Sequence, residues 1–177
     1  MTHATSHDAV TVPSAWVCRF APLIPAAGCV LDVACGGGRH ARYLTGLGYF
    51  VDAVDRDAQS LAALQNVAGV TTSAADLEQA PWPYPERLFA GVIVTNYLHR
   101  PLLLRLVQSV APGGAFIYET FAVGNERYGR PSNPDFLLGP GELLEAVRGR
   151  LRVVAYEDVD VSEPRPAAVQ RICARRA

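Results

Sequence analysis

The residues best suited to chemistry crowd into one short stretch, Asp32-Val-Ala-Cys35-Gly36-Gly37-Gly38-Arg39-His40-Ala41. Glycines between a strand and a helix let backbone approach a ligand closely, and the N–H groups of the helix start draw negative charge. Gly36-x-Gly38-x-x-Ala41 alone satisfies a dinucleotide fingerprint, and it also suits a plain strand-to-helix turn. Asp32 separates these possibilities. A carboxylate at the end of the strand repels a pyrophosphate arriving at the same loop, whereas it suits a cationic amine. A methionine moiety offers an ammonium for Asp32 and a carboxylate for the helix N-terminus or Arg39. The loop therefore points to S-adenosylmethionine more than to NAD.

Asp55 lies 17 positions after Gly38 and closes the next strand-like run. An acid there accepts both ribose hydroxyls of an adenosine, or else serves only as a charge at a helix start. Asp76 can accept from an adenine amine, while Leu77 packs on the ring. Ala34, Gly38, Arg56 and Asn96, at the ends of the same strands, complete the candidate cofactor set. Methyl transfer asks the protein chiefly to position a nucleophile and to remove its proton where it carries one. Asn96, Tyr97 and His99 close a fourth strand and Glu119 and Thr120 a fifth, beside the expected methyl. His99 is the candidate base, since an imidazole with a pKa of ~6.5 removes protons at neutral pH. It is equally suited to a helix entry before Pro101. Glu119 can take a proton or a cationic substrate, or pair structurally with an arginine of the following loop. Tyr97 suits a pocket wall.

The elements that must hold these residues are legible in the apolar periodicity. A tail is expected over residues 1–12, then a short helix near Pro13–Phe20 with Trp16, Val17 and Phe20 inward. Strands are expected at Cys29–Ala34, Tyr49–Asp55, Val70–Ser73, Phe89–Thr95 and Ala115–Thr120. Helices are expected at Arg39–Leu47, from an Asp57 cap to Val67, at Pro101–Val110 and at Gly141–Arg148. Pro112-Gly113-Gly114 reads as a tight turn feeding the fifth strand. Two closing strands, Leu151–Val161 and Ala167–Ala174, suggest an antiparallel hairpin at one edge. Alternating strands and short connections imply a single doubly wound α/β domain over residues 13–177. Its ligand belongs at the carboxyl ends of the strands. Residues 121–139, rich in Gly, Pro and Asn, read as a substrate lid presenting Arg127, Tyr128 or Arg130.

The 177 residues suit one domain, and half of them are apolar. A net charge of −1 provides no general attraction for nucleic acid. All sixteen basic residues are arginine, which excludes lysine chemistry such as a Schiff base. Four dispersed cysteines form no zinc or disulfide pattern, so no metal is expected and the cytosol is the expected compartment. No run is long enough to span a membrane.

Val30-Leu-Asp-Val-Ala-Cys-Gly-Gly-Gly-Arg-His-Ala41, Val51-Asp-Ala-Val-Asp55, Ala75-Asp-Leu77 and Ala111-Pro-Gly-Gly114, in that order, resemble the motifs of class I S-adenosylmethionine-dependent methyltransferases. The chain is most similar to small bacterial members such as tellurite-resistance and thiopurine methyltransferases, where Arg also follows the glycine loop. The resemblance implies a Rossmann-like sheet of seven strands ordered 3-2-1-4-5-7-6, with strand seven antiparallel. It also implies that Asp32, Cys35 and Gly36 line the methionine moiety, Asp55 the ribose, and Asp76 and Leu77 the adenine. Thr95-Asn-Tyr-Leu-His-Arg-Pro101 lacks the Pro-Pro-aromatic run of nucleic-acid amino methyltransferases, which argues against those acceptors. The expected activity is methyl transfer to a small molecule, leaving S-adenosylhomocysteine. Other possibilities are a protein or RNA acceptor, an NAD-dependent oxidoreductase and a non-catalytic scaffold.

Overall fold

Residues 12–177 are described by a computed structural model. The expected tail, apart from Val12, lies outside the described residues. Helix α1 (Ala15–Phe20) is capped by Ser14, whose hydroxyl accepts the Trp16 and Val17 N–H groups. Next come β1 (Cys29–Val33), α2 (Arg39–Gly46), β2 (Phe50–Asp55), α3 (Ala58–Ala62), β3 (Val70–Ala74) and β4 (Phe89–Thr95). The chain continues through α4 (Leu103–Gln108), β5 (Val110–Phe121), α5 (Glu142–Val147), β6 (Arg152–Val161) and β7 (Ala167–Arg175). The seven strands form one sheet ordered β3-β2-β1-β4-β5-β7-β6. β7 runs antiparallel to both β5 and β6, as expected.

Period-two alternation divides the core between the two faces of the sheet. Leu31, Val33, Val92, Val94, Phe116 and Tyr118 pack under α4 and α5. Val30, Val51, Ala53, Ile93 and Ile117 meet Trp16, Phe20, Leu44 and Leu61 from α1 to α3. Asp32, two residues after Val30, thus enters the α1–α3 side of the core.

Two expectations need correction. α3 ends at Ala62, not Val67, because its last turns tighten to i→i−3 bonds such as Leu64 N–H to Leu61. β5 begins at Val110, so Pro112-Gly113-Gly114 is a bulge within the strand and not a turn before it. Gly114 must be glycine there, since a Cβ would press on the Ala90 and Ala111 carbonyls.

Register sets the heights of the functional residues. Val33 lies opposite Val54 and Val94, and Asp55 lies opposite Ala74. Thr95 lies opposite Glu119. Ala34, Asp55, Thr95 and Glu119 therefore share one level on the carboxyl edge of the sheet. Among the described residues no helix is long and apolar enough to cross a membrane.

Candidate active site

The turn from β1 into α2 is shaped by backbone that side chains resist. Gly36 and Gly38 have positive φ, and so does Ala34, at φ 51°. The three glycines serve different purposes. A Cβ on Gly38 would collide with Leu64, so packing requires that glycine, while Gly36 and Gly37 face open space. The loop thus leaves bare backbone toward a ligand. The N-cap of α2 is Gly38, which offers no side-chain acceptor to the first-turn N–H groups.

Asp55 ties this loop to β2. Its Oδ2 accepts the Gly36 N–H at 2.8 Å and its Oδ1 accepts the Asp57 N–H at 2.9 Å. Each oxygen keeps a second lone pair. A cleft of about 170 Å³ runs from Ala34, Asp55 and Arg56 to Ala75, Asp76, Leu77, Glu78 and Tyr97. Five of the expected cofactor residues are thereby gathered on one surface. Glu78, which sequence reasoning missed, joins them because Asp76 Oδ1 accepts its N–H and turns the chain there.

Asp32 lies beneath the loop, not on that surface. It is 1% exposed, and its Oδ2 is buried without a hydrogen-bond partner. Burial pushes its pKa up to about 7, with the Ala41 N–H and the Arg39 charge acting in the opposite sense. Cys35 is also buried, its thiol donates to the Gly36 carbonyl, and burial raises its pKa far above the ordinary value. Arg39 is partly buried among Asp32 and Glu119, and its Nη1 donates to the Val12 carbonyl.

The three candidate catalytic residues are not brought into one cluster. Tyr97 is on the Asp76 side of the cleft, where burial and the charges of Glu78 and Asp76 push its pKa up to about 12. Its hydroxyl is buried and unpartnered. His99, partly buried, starts the turn into α4 and accepts the Leu102 N–H through its carbonyl. Asn96, just before Tyr97, takes positive φ, at 55°. Glu119 is held at both oxygens, Oε1 by the Ser14 hydroxyl at 2.7 Å and Oε2 by Arg171 at 3.1 Å. The arginine it meets comes from β7, not from the loop.

Residues 121–139 are pinned at their ends. Arg100 donates to the Asp135 and Leu137 carbonyls and to Glu142, while Leu137 and Leu138 are buried. Arg127 pairs with Asp160 of β6 at 3.0 Å and lies over the Tyr128 ring. Arg127 is thus turned to β6, and neither it nor Tyr128 is among the residues lining the cleft. Arg130 is exposed.

Sequence reasoning also missed Ser14 and His40 as site residues. His40 is 2% exposed and accepts the Ser14 N–H at Nε2 (3.1 Å), while its Nδ1 faces Thr95 Oγ1 at 3.5 Å. The only local signals were the place of His40 beside Arg39 and a serine near the start of the expected first helix.

A family model for the tellurite resistance protein TehB matches residues 11–109, more than half of the chain. The chain belongs to the TehB family. Its fold is similar to that of TehB from Haemophilus influenzae, with a TM-score of 0.73 and 20% identity over 91% of this chain. The chain spans 61% of the length of that protein. An S-adenosylmethionine-dependent methyltransferase from Mesorhizobium loti aligns with a TM-score of 0.69 and 20% identity, covering 92% of this chain and 98% of the other. A TehB-like methyltransferase from Corynebacterium glutamicum aligns at 0.66 and 18%, covering 92% and 87%. A comparison with curated proteins finds no match. This TehB-family chain thus shares its fold with those S-adenosylmethionine-dependent methyltransferases.

Proposed function

We propose that the chain transfers a methyl group from S-adenosylmethionine to a small-molecule acceptor by in-line displacement. The observation that carries this is the orphaned oxygen of Asp32 beneath an open glycine loop, two residues before Ala34, which lines a cleft with Asp55 and Asp76. A buried carboxylate without a partner is costly unless a cation completes it. When bound, S-adenosylmethionine supplies a methyl group already activated on a sulfonium.

The residues present fit that group. Asp32 holds the ammonium beside Cys35, Gly36 and Gly38, while Arg39 and the uncapped first turn of α2 hold the carboxylate. Asp55 takes the ribose hydroxyls. Asp76 and Leu77 take the adenine, with Ala34, Arg56 and Asn96 forming the surrounding wall. The chain's work is then positioning. His99 receives the acceptor's proton where there is one, and its ring has no hydrogen-bond partner among the described residues. Glu119, held at both oxygens, shapes the acceptor side, and Tyr97 walls the cofactor cleft. A net charge of −1, which gives no general attraction for nucleic acid, supports a small acceptor over RNA. Four free thiols suit a reducing cytosol.

Calorimetric titration tests the cofactor. S-adenosylmethionine and S-adenosylhomocysteine are expected to bind with micromolar affinity, on the order of −8 kcal/mol, and NAD not at all. Binding of NAD alone would return the loop to a dinucleotide site. The acceptor class is tested with methyl-labelled S-adenosylmethionine. Label should pass to small thiols, amines or oxyanions, and its appearance only in bulk protein or RNA would reject the small-molecule assignment.

In the same proposal residues 121–139 are the substrate lid, anchored by Arg100 at its C-terminal end. Its exposed middle, 126–136, should become resistant to limited proteolysis once cofactor and acceptor are both bound. Cleavage at an unchanged rate would show a fixed surface loop instead.

A further inference from the structure

On the cofactor assignment made above, we propose that His40 is a positioning residue that latches residues 12–14 over the methionine end of the cofactor site. Three contacts converge on this short segment from elements distant in sequence. His40 Nε2 accepts the Ser14 N–H at 3.1 Å, the Ser14 hydroxyl donates to Glu119 Oε1 at 2.7 Å, and Arg39 donates to the Val12 carbonyl at 3.2 Å. The ring accepts at Nε2 only when neutral, with its proton on Nδ1, where it faces Thr95 Oγ1. Burial and the neighbouring Arg39 hold its pKa down to about 3, so this form persists at neutral pH.

Both sides of the latch are rigid. On one side, Ser14 caps α1, and the Trp16 indole is buried, with its Nε1 donating to the Ile172 carbonyl. On the other, Arg171 holds the second oxygen of Glu119 and lies 4.8 Å from the centre of the Trp16 ring. The segment thus crosses the carboxyl edge at β4 and β5, beside Arg39 and the first turn of α2. The other end of the site, at Asp55, Asp76 and Leu77, has none of these contacts. A latch so placed retains the amino-acid half of the ligand and leaves the nucleoside half untouched.

Two ligands separate these halves. S-adenosylhomocysteine carries the amino-acid end, and 5′-methylthioadenosine lacks it. His40→Leu is expected to weaken S-adenosylhomocysteine by about 10-fold, mainly through faster dissociation, and to leave 5′-methylthioadenosine unchanged. His40→Gln places an acceptor near the Nε2 position and should restore the loss. If His40→Leu does not fold, Ser14→Ala, which keeps the N–H but severs the Glu119 bridge, should show the same split between ligands. Wild-type protein that binds neither ligand would sink the cofactor assignment itself. Wild-type binding of both, with the variants weakening both alike or neither, would overturn the latch and leave that assignment standing.

Discussion

Asp32→Asn is expected to make the protein more stable at pH 8 while weakening its hold on S-adenosylmethionine. The carboxyl is buried with one oxygen unpartnered, and burial pushes its pKa up to about 7 from the ordinary 3.8. A folded-state pKa above the unfolded one means that the folded protein binds the extra proton. The stability linked to Asp32 is therefore fully present below about pH 4 and is lost as pH rises through about 7. Each pKa unit corresponds to ~1.4 kcal/mol, so the charged carboxylate costs on the order of a few kcal/mol above that range. Asparagine carries no charge and escapes this loss, although its amide also needs partners. A net gain of about 1–3 kcal/mol at pH 8, shrinking toward pH 5, is the expected balance. Urea denaturation at the two pH values measures it.

The same substitution removes the negative charge offered to the ligand's ammonium. A hydrogen bond to a charged group contributes ~1.5–3 kcal/mol, so S-adenosylhomocysteine affinity should fall roughly 10- to 100-fold. Ligand binding to the wild type near pH 6.5 should also release a proton, because the arriving ammonium favours the ionised acid. Calorimetry in buffers of different ionisation enthalpy detects that proton. A variant that is no more stable than wild type at pH 8, with full ligand affinity, would show that Asp32 has a partner of its own and no role in binding.

Asp55→Ala should have a comparably large effect by a different route. The carboxylate satisfies the Gly36 and Asp57 N–H groups and lines the cleft with its remaining lone pairs. Truncation leaves the loop N–H without its acceptor, which costs about 1–3 kcal/mol of stability. It also removes the ribose contact, and S-adenosylhomocysteine affinity should fall about 100-fold. Asp55→Asn keeps one acceptor oxygen, so it should recover part of the stability and little of the affinity. If Asp55→Ala keeps its affinity and loses only stability, the acid is a strut for the glycine loop and the ribose lies elsewhere.

Much of this architecture is written locally in the chain. Strand β4 appears in the sequence with the bounds it has in the structure, Phe89–Thr95, because its apolar run through Val94, closed by Thr95 and Asn96, has no competing structure. The glycine loop and the acids Asp32, Asp55 and Asp76 are likewise legible, since each depends on residue type at a strand end. The parallel order followed from alternating elements and the class I resemblance. Where the expected elements failed, the cause was a contact out of view along the chain. β5 absorbs Pro112-Gly113-Gly114 because Gly113 and Gly114 exchange hydrogen bonds with Arg176 beyond β7. Glu119 suited either reaction or pairing with a loop arginine until folding set it between Ser14, 105 positions away, and Arg171, 52 positions away. His40 gained its partner from Ser14, 26 positions upstream, and its neutrality from burial, neither of which residue type reveals. Sequence by itself determined the order of elements, the loop and the acids that can hold an adenosyl ligand, because hydrophobic periodicity and glycine conformation act within a few residues. Only the tertiary structure decided which polar groups are already paired and which, like Asp32, are left waiting, because desolvation and hydrogen bonding depend on atoms that folding brings together.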